Sequence, residues 1–308
     1  MRSSARPSAG GVFAQGLAVC GALCTVAWTL STLGCGGGPS EEDIHRSETE
    51  YQLAVGLMGE QNFAGMYEHL DESIRLDPDN APAHLLLGNL RLFRGDYPGA
   101  EVEFLEAIAA NARLERSGYP SLTSDAQNSL GVVYIHTNRL DQAVDVLTES
   151  SHDLMNTTPH LALGNLGWAN LERGDLEAAM TALTGAVHNQ PQFCVGWYRL
   201  GQVYTRTAEA PDADAAASSS AFARAEDALT RALEVDAEVC QAFQDAWLLR
   251  GEVRTHLGRT EDAVDDFERC VELDATSDAG HRCATALDAT PHGEGEGAAA
   301  PEASEGET

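Results

Sequence analysis

Residues His160 to Phe193 read HLALGNLGWANLERGDLEAAMTALTGAVHNQPQF, and this stretch decides the fold. Two short amphipathic runs, LALGNLGWANLER and LEAAMTALTGAVHN, are separated by Gly174-Asp175 and closed by Pro191, so the segment is predicted to form a helical hairpin. The hairpin cannot bury Leu166, Gly167, Leu176, Ala179, Leu183 and Ala186 within itself. Helices this short are marginal alone, so a copy is needed on either side.

Copies are present at a spacing of roughly 34 residues. Residues 81–112 carry Leu87-Gly88, Gly95-Asp96-Tyr97, Ala100, Phe104 and Ala107. Residues 47–80 carry Leu53-Ala54, Asn62-Phe63, Leu70, Ser73 and Leu76-Asp77-Pro78. A third unit, 124–157, has Leu130-Gly131, Asn138, Leu140, Ala143 and Leu147. The fifth opens at Cys194 with Leu200-Gly201 and resumes at Ala221, and the sixth holds Trp247, Gly251, Gly258, Ala263 and Phe267. Small residues recur because two helices approach closely only where a side chain is nearly absent. This is the tetratricopeptide (TPR) spacing. The expected fold is all-α: a right-handed superhelical solenoid of about six helix-turn-helix repeats over 47–288, with a capping helix at 277–288.

Two insertions interrupt the register. Residues 112–123 contain Tyr119-Pro120 and could form a shaped loop, whereas 208–220, AEAPDADAAASSS, reads as a floppy low-complexity extension. The final stretch, 289–308, is acidic and lacks large apolar residues, so disorder is expected there.

The N-terminus reads as a targeting segment over 1–34: Arg2 and Arg6 precede an apolar run from about Val12 to Leu30. Ser31-Thr32-Leu33-Gly34-Cys35 resembles the lipobox of bacterial lipoproteins, with the leucine two places before the cysteine rather than three. That resemblance implies a diacylated Cys35, and Gly36 after it implies the outer membrane. An uncleaved single-span anchor is the alternative. Either way the domain faces away from the cytoplasm, on a tether predicted at 35–46.

The formal net charge is −29 and argues against a nucleic-acid partner. No phosphate loop, nucleophile elbow or metal-ligand spacing occurs, and most carboxylates fall on solvated faces. Neither catalysis, nor a cofactor, nor a metal, nor a small-molecule substrate is expected. His84 and His160 merely occupy helix starts.

Cys194, Cys240, Cys270 and Cys283 cluster in the last third of the chain. In an oxidising compartment four cysteines suggest two disulfides, with three possible pairings. Repeat geometry favours Cys194–Cys240 and Cys270–Cys283, because the first pair opens neighbouring units and the second joins the last helix to its cap. Four buried thiols are the alternative.

Function is expected on the groove-facing positions 2, 5, 9 and 12 of each first helix. These include Tyr51, Val55, Met58, Leu85, Asn89 and Leu92, then Asn128, Val132 and Ile135, then Trp168 and Leu171. An apolar groove of this kind takes a partner's helix or extended segment, unless the superhelix closes over it. A clamp for a terminal carboxylate is not expected, since the chain has no lysine and position 5 of the second unit is Leu85.

Pro159, Ala162, Leu163, Asn165, Gly167 and Trp168 together resemble the Pro-x-x-Ala-Leu-x-Asn-x-Gly-Trp run of the PilF/PilW type of TPR lipoprotein. Gly164 and Leu166 depart from that pattern. The resemblance implies a lipid-anchored, periplasm-facing outer-membrane pilotin that binds secretin subunits of a type IV pilus. Two other expectations stay open: a general periplasmic adaptor recruiting an envelope enzyme or assembly machine, and a purely structural scaffold of a multiprotein complex, which would self-associate in solution.

Overall fold

The computed structural model describes residues 38–114 and 118–290. The expected signal segment, Cys35 and residues 291–308 of the expected tail lie outside the described residues. Six helical hairpins follow one another: α1 (Glu41–Met58) with α2 (Phe63–Leu76), α3 (Ala81–Phe93) with α4 (Tyr97–Arg113), and α5 (Leu122–His136) with α6 (Leu140–His152). Then come α7 (Pro159–Arg173) with α8 (Leu176–Asn189), α9 (Cys194–Ala208) with α10 (Ala215–Glu234), and α12 (Gln244–His256) with α13 (Thr260–Leu273). A single turn, α11 (Ala237–Cys240), precedes α12, and α14 (Asp278–Ala289) closes the array against α12 and α13. Each first helix packs on its own second helix and on the next hairpin, so the core is a continuous seam rather than a centre.

One contact repeats along that seam. A Cβ on Gly88 would stand 2.6 Å from Phe104, one on Gly131 2.4 Å from Leu147, one on Gly167 2.4 Å from Leu183, and one on Gly251 2.4 Å from Phe267. The large residue comes sixteen positions after the glycine in all four. Gly201 meets Leu229 instead, because the inserted segment lengthens that hairpin. In the first hairpin Ala54 takes the glycine's place, fully buried in one cluster with Leu70.

The turns repeat as well. Gly95, Gly174 and Gly258 hold positive φ values of 76°, 84° and 72°, and Asn138 and Gln61 take the same left-handed conformation at 57° and 56°. The next polar residue caps the second helix: Asn62, Asp96 and Asp175 accept from the backbone N–H of Gly65, Gly99 and Ala178.

Three boundaries differ from the sequence reading. The tether expected through residue 46 is shorter, because Ser40 forms a capping box with Asp43 and 41–46 are already helical. The insertion expected to be floppy supplies an extra turn and more of α10. Asp214 caps that extension, and Ser218 Oγ donates to the Ala208 carbonyl at 2.7 Å, so the alanine-rich 215–220 has both propensity and an anchor. Residues 289 and 290, assigned to the tail, finish α14 and its buried cap Thr290. Of the insertion at 112–123, residues 112 and 113 finish α4 and residues 122 and 123 begin α5, and the described residues before α5 are held by Asn111, which donates to the Tyr119 carbonyl at 3.0 Å and accepts from the Tyr119 N–H at 2.7 Å.

The cysteines stand in pairs compatible with disulfides, Cys194 with Cys240 and Cys270 with Cys283, at Cα separations of 5.9 and 6.2 Å. The first pair ties α9 to α11, and the second ties α13 to α14. No helix among the described residues is long and apolar enough to cross a membrane.

Candidate partner-binding groove

The first helices α1, α3 and α5 lie side by side, and an open cavity of about 440 Å³ lies between them. Tyr51 and Glu48 come from α1, Leu85 and Asn89 from α3, Leu122 and Asp125 from α5, and Tyr119 from the loop ahead of α5. Three of the residues that the repeat register singled out, Tyr51, Leu85 and Asn89, therefore meet in one place. The hydrogen bonds of Asn111 hold the loop so that Tyr119 forms part of the cavity wall.

Burial, reinforced by the Glu48 carboxylate, raises the Tyr51 and Tyr119 phenols above their ordinary range, so both remain protonated donors. No basic residue lines the cavity. Its chemistry suits an apolar side chain flanked by amide or basic groups and disfavours an acidic terminus.

The remaining register positions sit elsewhere. Val55 is half-buried, and Met58 is exposed at the end of α1. Leu92 packs against the core cluster of Phe104 and Leu130. Asn128 accepts from Asn165 Nδ2 at 3.0 Å, next to a similar bond from Ser129 Oγ to Asn89, so a row of amides crosses α3, α5 and α7. Val132 is half-buried on α5. Trp168 lies edge-on to His136 at 5.3 Å and carries the Arg199 guanidinium 4.1 Å above its ring.

Position 12 is a correction. Ile135 is 7 % exposed and Leu171 fully buried, the latter because α9 packs over the end of α7 and sets Leu200 and Val203 in the same cluster. In these two units that position faces the next repeat, not the groove.

Sequence reasoning missed a second cavity, about 240 Å³, between α9, α12 and α14. Tyr198, Gln202 and Thr205 line it with Arg206, Glu252 and Arg282. The same register, carried into the fifth unit, lands on those first three residues. Burial pushes the Tyr198 phenol up to about 12 and the neighbouring Arg199 guanidinium down to about 10. Among the described residues no group of His, Cys, Asp and Glu side chains could hold a metal ion. His84 does more than start a helix: it is buried and hydrogen-bonded to Glu103 at 2.7 Å and to the Pro78 carbonyl at 3.1 Å.

Comparison with known proteins agrees with this architecture. A tetratricopeptide-repeat family profile matches residues 52–116 and 211–278. No curated protein matches the sequence. Among solved structures, PilW, described as a widely conserved type IV pilus biogenesis factor, superposes with a TM-score of 0.62 at 19% identity, covering 76% of this chain and 96% of that one. Pseudomonas aeruginosa PilF superposes at 0.60 and 15% identity over 80% of this chain and 100% of that one. The Cut9 complex with Hcn1 gives 0.63 at 14% identity, over 82% of this chain but 43% of its own. The described residues form an all-helical TPR solenoid, and TPR solenoids generally bind proteins rather than catalyse reactions.

Proposed function

We propose that this protein is a pilotin-type scaffold: a lipid-anchored, periplasm-facing outer-membrane protein that binds secretin subunits of a type IV pilus and promotes their localisation and multimerisation. The observation that carries the reading is the convergence of Tyr51, Leu85, Asn89 and Tyr119 on one cavity with no basic lining, at the end of the array nearest Cys35 in sequence. A segment of the client would lay an apolar side chain on Leu85 while the two phenols and Asn89 hydrogen-bond its backbone. The lipid on Cys35 would hold the scaffold at the membrane, and residues 36–39 would give it reach.

Two further features support it. The likeness covers 96% of the solved PilW chain and 100% of the solved PilF chain, and PilW is a type IV pilus biogenesis factor. The run from Pro159 to Trp168 supplies the local resemblance.

The test is the heat-resistant multimer of the secretin in cells lacking this protein, complemented with variants. Wild type is expected to restore multimers, whereas Leu85→Glu and Cys35→Ala are not. Multimers that form normally without the protein, or with Leu85→Glu, would contradict the reading and favour an adaptor for another envelope component.

A further inference from the structure

Arg199 of α9 is a half-buried cation without an anion. Its guanidinium lies over the Trp168 ring, and among the described residues nothing accepts a hydrogen bond from it. Glu172, the carboxylate whose field reaches it, is already paired with Arg206 at 3.6 Å. The other partly or fully buried arginines among the described residues each have a carboxylate: Arg91 has Glu103, Arg139 has Glu101, and Arg250 and Arg254 share Asp266. The difference shows in their proton affinity. Burial lowers Arg199 to about 10, whereas the hydrogen bond to Glu101 holds Arg139 above its ordinary value. A buried guanidinium that is left unpaired costs stability, so its retention here calls for an anion from outside.

The repeat sets its place. Ser129, Asn165 and Arg199 are the sixth residues of the units that begin at 124, 160 and 194. Ser129 and Asn165 each reach back to the preceding first helix, to Asn89 and Asn128. Arg199 makes the same step to Trp168, so its guanidinium continues the row of amides from α7 to α9. One turn along α9, Gln202 donates through Nε2 to the Tyr198 hydroxyl at 3.0 Å, which leaves its enclosed Oε1 without a donor. Gln202 also lines the cavity beside α12 and α14, so a turn of its amide presents that oxygen to an incoming chain.

We infer that Arg199 and Trp168 form a subsite for an aspartate or glutamate side chain of a partner's extended segment, its carboxylate on the guanidinium and a backbone N–H on Gln202. An unmet cation beside an unmet carbonyl asks for a carboxylate and an N–H together, which an acidic residue within a polypeptide supplies. A free anion brings only the first. A dianion or an anionic lipid surface would also meet Glu209, Asp245 and Glu252 nearby and a net charge of −29. The chain's own acidic tail leaves α14 at Thr290, beside Thr255 and His256, at the opposite end of α12 from Asp245. The inference rests on the proposed function only in that an extended segment occupies the groove; the client need not be a secretin.

The test selects random linear peptides on the full chain in detergent and measures synthetic copies of the winners by titration calorimetry. Winners that share an Asp or Glu at a fixed place are expected, and changing that residue to Asn or Gln should weaken binding by on the order of tenfold or more. Arg199→Gln should bind the acidic and amide peptides alike. Arg199→Glu should prefer a lysine at that place, a gain that an unfolded variant could not show. Winners without a shared acidic residue, no winners, or an acidic preference that survives Arg199→Gln would overturn the inference. So would a preference that appears only after Glu294, Glu296, Glu302, Glu305 and Glu307 are changed to glutamine, since the tail would then be the occupant. The heat-resistant secretin multimer reads the client's identity separately, and its failure would leave the peptide selection standing.

Discussion

Gly88 exists because Phe104 occupies the space its side chain would take: a Cβ there would sit 2.6 Å from a ring that is fully buried. Gly88→Ala should therefore cost about 1–3 kcal/mol of stability through overpacking, read as a lower denaturant midpoint in urea. No measurable shift would mean that the ring can retreat. Gln61 presents the opposite case. It stands where three other turns use glycine, at a φ of 56° that costs an L-residue roughly 1–2 kcal/mol. Gln61→Gly should raise stability by about 0.5–1 kcal/mol, once glycine's greater freedom in the unfolded chain is set against the relieved strain. The glycine–large pairs were legible in the sequence, since both members recur at fixed spacing. The strain at Gln61 was not, because nothing local to glutamine asks for a left-handed turn; the hairpin imposes it.

Elements are joined by contacts that periodicity describes less well. Arg250 of α12 donates to both carboxylate oxygens of Asp266 on α13, at 3.0 and 2.7 Å, with Asp266 1 % exposed. Arg254 reaches the same carboxylate at 2.8 Å and Glu226 of α10 at 2.9 Å, and Arg259 pairs with Glu226 as well. Three helices are thereby locked through side chains that a sequence reading places on solvated faces. Asp266→Ala leaves Arg250 buried without its partner, and should destabilise the C-terminal hairpins by about 3–5 kcal/mol. Removal of the exposed partner in Glu272→Ala should cost under about 0.5 kcal/mol. Equal losses in chemical denaturation would show that burial is not what makes the Asp266 network matter. The extended α10 was missed for a related reason: AAASSS looks structureless by composition, but an Asp214 cap and a bond to Ala208 give it a helix to join.

For the whole molecule, six stacked hairpins bring residues 34 or more positions apart onto one wall, and the groove is a product of that stacking. The register located Tyr51, Leu85 and Asn89 because position 5 or 9 of a first helix faces the same way in each repeat. It failed at position 12, where the next hairpin covers Ile135 and Leu171, and it could not assign Tyr119, whose place depends on how Asn111 folds an insertion. In the proposed function a secretin segment docks on α1, α3 and α5. Site-specific photo-crosslinking in cells, with the reactive side chain at position 85 and a control at position 105 on the exposed face of α4, tests it most directly. A crosslinked species that contains the pilus secretin is expected from position 85 and not from the control. An adduct from position 85 to a different protein, or none while the secretin still assembles, would contradict it.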